Sequence, residues 1–134
     1  MENIDINWLA VIVAALTSFV IGGLWYSPML FGKAWQAENN LTNEQIQGGS
    51  KARIFGFTFL WSFIMAANLA FFVSGVESLG EVMIYSFAAG FGWVSLGLFV
   101  IGLFELKTTR YMLINAGYQT ISFLLMGLVL GLWK

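Results

Sequence analysis

Four uncharged stretches set the hydrophobic pattern of the chain. Residues 6–26, 54–76, 82–104 and 111–133 contain no Asp, Glu, Lys or Arg, and each is 21 to 23 residues long. At about 1.5 Å per residue, such a helix crosses roughly 30 Å of hydrocarbon with a little length left for tilt. The pattern predicts an all-α fold, a single domain over residues 1–134 with four transmembrane helices in a bundle. The second and third connections have only five and six residues, so we expect the last three helices to be sequential antiparallel neighbours.

The first connection, residues 27–53, carries two signals for a helix start. Ser27 followed by Pro28 is typical of an N-cap and the first helical residue. Thr42 and Gln45 have the spacing of a capping box. We therefore predict a short amphipathic helix on the membrane interface and a second short helix after it; the alternative is a disordered polar loop. The apolar face of the first helix is predicted to hold Leu30, Phe31, Ala34 and Trp35, with Lys33 in water.

The basic residues are distributed unequally among the connections. Five of the six Lys and Arg residues lie in the first and third connections. The positive-inside rule then predicts that residues 27–53 are cytoplasmic and that both termini are outside. The segment before the first run has acidic but no basic residues, so we expect that run to stay as a membrane helix and not to be a cleaved signal peptide.

Composition excludes several kinds of chemistry. The chain has no Cys and no His, so thiol catalysis and Cys- or His-based metal sites are excluded. A net charge of −1 with no basic cluster gives no attraction to nucleic acid. No phosphate-binding glycine loop or catalytic triad is present, and no Asp, Glu, His, Lys or Arg lies within the four runs. We therefore predict no cofactor, no metal and no enzymatic activity.

Uncharged polar residues within the runs are the candidates for a binding site. Asn68 lies near the middle of the second run, and its carboxamide needs hydrogen-bond partners because it is costly to leave bare in hydrocarbon. The fourth run has a polar face, and Tyr118 adds to its polar half. The predicted cavity or polar network comprises Asn68, Asn115, Tyr118, Gln119 and Ser122. The alternative is that these residues form hydrogen bonds that hold the helices together.

Small residues recur at helical spacing in the first run. Ala14, Ser18 and Gly22 form a stripe that lets another helix approach closely. Because the long first connection leaves this helix free to pack outside its own bundle, we predict that the stripe is an interface between subunits. A fixed topology would make those subunits parallel, with cyclic symmetry about the membrane normal.

Two segments resemble a known family. Residues 22–35, GGLWYSPMLFGKAW, are similar to the signature of DUF1761, a family of small bacterial membrane proteins of unknown function. Residues 114–118, INAGY, with residues 122–133 after them, resemble the last helix of that family. The resemblance covers nearly the whole chain and implies a four-helix bacterial membrane protein, but it brings no activity, substrate or catalytic residue. Its interfacial motif comprises Trp25, Tyr26, Ser27, Pro28, Phe31 and Trp35.

Two functions follow as hypotheses. The first is binding or passage of a small molecule through a polar-lined cavity between the second and fourth membrane helices. The second is a non-catalytic role through association with itself or with another membrane partner. An intramembrane enzyme is a third and weaker hypothesis. The expected partners are the lipid bilayer, further copies of the chain and an unspecified small-molecule ligand, and the expected location is the bacterial inner membrane.

Overall fold

The computed structural model describes residues 4–134, and regular structure in this range is helical. The membrane-crossing helices are α1 (Trp8–Trp25), α4 (Lys51–Val73), α5 (Leu79–Ala89) continued through a π-helical segment (Gly90–Ser95) into α6 (Leu96–Phe104), and α7 (Thr109–Leu132). Two short helices, α2 (Gly32–Glu38) and α3 (Asn43–Gly48), lie in the first connection. Four spans are thus long and apolar enough to cross a bilayer, which confirms the predicted fold class of a multi-pass, all-α membrane protein. The residues before Ile4, on which part of the signal-peptide argument depends, lie outside the described range.

Polar N-caps decide where the spans begin. Asn7, Ser50, Ser78 and Thr108 each accept a hydrogen bond from a backbone N–H in the first turn of the following helix. The last three spans therefore start two or three residues before the uncharged runs. The first span starts two residues inside its run, because Asn7 is its cap. The absence of charge marks the part of a helix that is soluble in hydrocarbon, whereas the N-cap residue marks where the helix begins.

The helix α7 is the centre of the bundle. It packs along α1 on one side and along the α5–α6 span on the other, while α4 packs mainly on α1. Many residues at these contacts are small, which brings the helix backbones close. The buried hydrophobic cluster comprises Ala10, Val11, Ala14, Ala15, Ala66, Leu69, Ala70, Val73, Val82, Phe123, Met126 and Leu130. Large apolar side chains cover the outer surface, as expected for a face in contact with lipid.

Two glycines mark close approaches between α7 and the α5–α6 span. A Cβ added at Gly90 would lie 2.6 Å from the Cβ of Phe123. A Cβ added at Gly127 would lie 2.6 Å from the Cβ of Ser86. These distances leave no room for a methyl group, so the glycines are used for packing within the chain.

The first connection differs in part from its prediction. The helix α2 begins at Gly32, and the predicted start at Ser27 is wrong. The hydroxyl of Ser27 donates to the carbonyl oxygen of Leu24 (2.7 Å) instead of capping a helix, and residues 26–31 form turns. Phe31 N–H donates to the Trp25 carbonyl (2.9 Å), so the chain folds back on the end of α1.

The second start signal is confirmed. The hydroxyl of Thr42 accepts from the backbone N–H of Gln45 (3.1 Å), and the Gln45 side chain accepts from the backbone N–H of Thr42 (2.8 Å). This reciprocal pair is the predicted capping box, and it begins α3.

Candidate binding cavity at the loop end of the bundle

A cavity of about 440 Å³ opens at the end of the bundle where α2 and α3 lie, which we call the loop end. It lies between the last turns of α1, the first turns of α4, the start of α7 and the two short helices. Aromatic and aliphatic side chains make up most of its lining, with a few polar groups. The lining residues are Phe19, Gly22, Gly23, Tyr26, Trp35, Ile46, Lys51, Ile54, Phe55, Thr58, Asn115 and Tyr118.

Tyr26 connects three parts of the lining. Its hydroxyl donates to Oδ1 of Asn115 at 2.6 Å. Its ring lies edge-on to the ring of Tyr118, with centroids 5.4 Å apart, and edge-on to Trp35, with centroids 5.6 Å apart. Burial raises the pKa of the Tyr26 phenol above its ordinary value, with smaller contributions from Tyr118 and Tyr111, so this residue stays neutral and keeps its proton for Asn115. These contacts hold one side of the cavity in a defined shape.

The neighbouring residue Trp25 fixes the end of α1 to α7. Its Nε1–H donates to the carbonyl oxygen of Ile114 at 2.8 Å. The ring lies over Gly117, where an added Cβ would be 2.9 Å from Cζ2 of Trp25. The ring of Phe31 also packs against the ring of Trp25, with ring centroids 4.6 Å apart. Consecutive aromatic residues thus have separate roles, because Trp25 anchors the turn and Tyr26 lines the cavity.

A polar cluster closes the bundle beyond the cavity. The hydroxyl of Tyr118 donates to the Ser18 carbonyl oxygen at 3.2 Å, and the hydroxyls of Ser18 and Ser122 are 2.6 Å apart. Both serines are buried. Gly22 makes this possible, since an added Cβ there would lie 2.9 Å from the Tyr118 hydroxyl oxygen.

This cluster corrects the predicted subunit interface. Ala14 is fully buried, Ser18 is 3% exposed, and Gly22 lies under Tyr118. The stripe of Ala14, Ser18 and Gly22 is therefore occupied by α7 of the same chain, and a second subunit has no access to it. Small residues on both helices allow α1 and α7 to pack closely within one chain.

The predicted polar residues of α7 separate into three groups. Asn115 and Tyr118 line the cavity, and Ser122 lies beyond it in the polar cluster. Gln119 is half-buried but lies outside the cavity lining, and its side chain makes no hydrogen bond within residues 4–134.

Asn68 lies apart from all of them. It is exposed on the outer face of α4, so its predicted place in a network with α7 is wrong. The buried face of α4 runs through Ser62, Ala66 and Ala70. Asn68 follows Ala66 by two residues, about 200° around the helix, and this places it on the opposite face.

Sequence reasoning missed several lining residues. Phe19 and Phe55 lie on the α1–α4 side of the cavity, with ring centroids 5.8 Å apart. Ile46 reaches the cavity because the capping box positions α3, so the capping-box pattern in the sequence could have pointed to this residue. Lys51 is, among the described residues, the one charged group in the lining.

A second cavity of about 370 Å³ lies at the opposite end of the bundle, near both termini. Asp5 and Lys134 line it. The ammonium group of Lys134 already donates to the carbonyl oxygens of Val73 and Val76 at the end of α4, so two of its three N–H groups are used within the chain. Across residues 4–134 no cluster of acidic residues has the arrangement of a metal site. The loop-end cavity is therefore the better candidate for ligand binding.

Comparison with known families identifies the chain. The family model described as "Protein of unknown function (DUF1761)" matches residues 9–131. The chain belongs to the DUF1761 family. The match covers all four spans except the first residue of α1 and the last residue of α7, and it includes every lining residue of the loop-end cavity. No curated protein and no solved structure matches this DUF1761 chain.

Proposed function

We propose that this membrane protein binds a small amphiphilic molecule in the loop-end cavity and that its role is binding without catalysis. The observation that carries the proposal is the cavity itself. Its volume of about 440 Å³ falls within the range of small-molecule sites, and its mostly apolar lining with a few polar groups is typical of them. The hydrogen bond from Tyr26 to Asn115 keeps the site formed in the absence of a ligand.

Binding explains the geometry better than passage. The hydroxyls of Ser18 and Ser122 meet at 2.6 Å directly beyond Tyr118, and no gap separates α1 from α7 there. Further along α1, Val11, Ala14 and Ala15 are fully buried. A molecule that enters at the loop end therefore meets closely packed helices and leaves by the way it came.

Substitutions at two glycines, one in the cavity lining and one outside it, test whether the cavity binds a ligand. A side chain added at Gly23 meets nothing within 4 Å and enters open space at the cavity, and one added at Gly56 on the outer surface of α4 also meets nothing within 4 Å. Gly23→Leu should fill part of the cavity without disturbing the helices. Gly56→Leu is the control, because it makes the same change of residue outside the lining of the loop-end cavity.

The measurement is photolabelling in lipid nanodiscs with an undecanoic acid that carries a diazirine on its chain, mapped by mass spectrometry. We expect labelling of peptides that contain Phe19, Phe55 or Trp35, suppressed by excess unlabelled undecanoate. The Gly56→Leu variant should retain this labelling and the Gly23→Leu variant should lose most of it. Equal labelling of both variants, or labelling that excess undecanoate does not suppress, contradicts the proposal.

The exposed carboxamide of Asn68 favours self-association as a second function. Asn68 lies five residues before Val73, the end of α4, which is about 7.5 Å along the helix axis. Facing lipid there without a partner costs several kcal/mol. A second copy in the same orientation brings an identical donor and acceptor to the same depth. Exposed Trp61, Ile64 and Phe71 extend this face along α4, since the sequence Trp61, Ile64, Asn68, Phe71 has successive spacings of three, four and three residues.

Single-molecule photobleaching in bilayers tests this second proposal. Asn68→Leu should weaken dimerisation roughly threefold to tenfold, which corresponds to about 0.6–1.4 kcal/mol for a hydrogen bond between membrane helices. Tyr85→Leu, a change at an exposed residue of α5, should have no effect. A wild-type protein that stays monomeric at high density in the bilayer rules out the association.

The proposal also includes an orientation. We infer that the loop end faces the cytoplasm and that both termini face outward in a bacterial inner membrane. Five of the six basic residues lie in the two connections at the loop end, which supports this orientation. The ligand would then enter from the cytoplasm or from the cytoplasmic leaflet.

A further inference from the structure

Several N–H groups in the loop-end cavity are donors that make no hydrogen bond within residues 4–134. Oδ1 of Asn115 already accepts from Tyr26, which leaves the amide N–H groups of Asn115 for a ligand. The indole N–H of Trp35 and the ammonium of Lys51 donate to no side chain or backbone group within residues 4–134. The hydroxyl of Thr58 donates to the Ile54 carbonyl oxygen and is not available. A ligand that satisfies this lining must therefore supply acceptors.

The charge at the cavity is positive. Lys51 is the first residue of α4, so the positive end of the helix dipole adds to the charge of its side chain. No acidic residue is among the described residues that line the cavity. An aromatic lining alone would favour a cation. Lys51 opposes a cation and favours an anion with acceptor oxygens.

An apolar part of the lining lies further along α4 than Lys51. Phe19, Phe55 and Ile54 form the α1–α4 side, where the rings of Phe19 and Phe55 are in edge-on contact. Ile54 and Phe55 are about half exposed on the outer surface of α4. A hydrocarbon chain fits this side of the cavity, with its charged end at Lys51 and Asn115.

From these three observations we infer that the ligand is a single-chain amphiphile with an anionic head group, a carboxylate or a phosphate. This inference rests on the proposed function, since it names the class of molecule that the loop-end cavity takes. Lys51, Asn115 and Trp35 receive the head group, and the aromatic and aliphatic side chains between α1 and α4 receive the chain.

Competition against the diazirine undecanoate separates the contributions of head group and chain. The competitors are dodecanoate, dodecyl phosphate, dodecanol and dodecyltrimethylammonium, which share one chain length, and butanoate, which has a carboxylate without a long chain. We expect dodecanoate and dodecyl phosphate to displace the probe at concentrations at least fivefold lower than dodecanol or the cationic compound. Butanoate should not displace it, because a free anion lacks the apolar contact.

Substitution of the lysine identifies the group responsible. Lys51→Gln should weaken displacement by dodecanoate roughly fivefold to tenfold, the size expected for a charge-assisted hydrogen bond that is partly exposed to water. The same variant should leave displacement by dodecanol unchanged. Lys33→Gln is the control, since Lys33 is exposed on α2 and lies outside the cavity lining.

The outcomes distinguish this inference from the proposed function. Equal displacement by dodecanol and dodecanoate overturns the anionic head group and leaves binding in the cavity intact. Preferred displacement by dodecyltrimethylammonium overturns the inference in favour of a cation. Displacement by butanoate overturns the requirement for a chain. Labelling that no competitor suppresses overturns the inference together with the proposed function.

Discussion

The hydrogen bond between Tyr26 and Asn115 should contribute measurably to the stability of the bundle. Tyr26→Phe removes one hydroxyl and leaves Oδ1 of Asn115 without its donor at 2.6 Å. Hydrogen bonds between membrane helices average about 0.6 kcal/mol and reach about 1.7 kcal/mol. The bond is short and partly buried, so we place it above the average and expect Tyr26→Phe to lower the free energy of unfolding by about 1 kcal/mol. The ring contacts with Tyr118 and Trp35 remain in the variant.

A double-mutant cycle isolates this interaction. The free energies of unfolding of the wild type, Tyr26→Phe, Asn115→Ala and the double variant are measured by reversible unfolding in mixed micelles, followed by far-ultraviolet circular dichroism. The coupling energy should be about 0.6–1.7 kcal/mol. Tyr85→Phe, at an exposed tyrosine of α5, is the control and should change stability by less than about 0.5 kcal/mol. Additive effects of the two substitutions, or equal effects of Tyr26→Phe and Tyr85→Phe, would refute the reasoning.

Two further predictions use local geometry and charge. Gly90→Ala should destabilise the protein by about 1–3 kcal/mol, because its methyl group would lie 2.6 Å from the Cβ of Phe123, whereas Gly92→Ala, two residues away in open space, should be neutral or slightly stabilising. Thermal unfolding in detergent compares the two variants, and equal melting temperatures would contradict this packing. A cysteine at exposed Asn40 in the first connection should resist an impermeant thiol reagent added outside intact cells and react after the membrane is opened, whereas immediate labelling would reverse the proposed orientation.

Local signals account for much of the candidate site. The Thr42–Gln45 capping box predicts α3 and so the position of Ile46, because a cap acts within one turn of chain. Asn115 and Tyr118 are identifiable as polar residues in an apolar helix. The failed start at Ser27 has a tertiary cause, since Trp25 is anchored on α7 and the following residues turn back over it. The residues 27–31 by themselves give no sign of this contact between Trp25 and α7.

The sequence alone determined the number of spans and their composition, because the cost of placing a charge or a bare peptide group in hydrocarbon acts on each residue separately. Tertiary structure decided which face of each helix meets a neighbour. A stripe of small residues permits close approach but does not specify the partner, so Ala14, Ser18 and Gly22 pack on α7 of their own chain. For the same reason Asn68 lies outside while Asn115 lines a cavity, although both are asparagines in apolar helices. The cavity exists only where α1, α4, α7 and the short helices meet, and such a space is a property of several distant segments together.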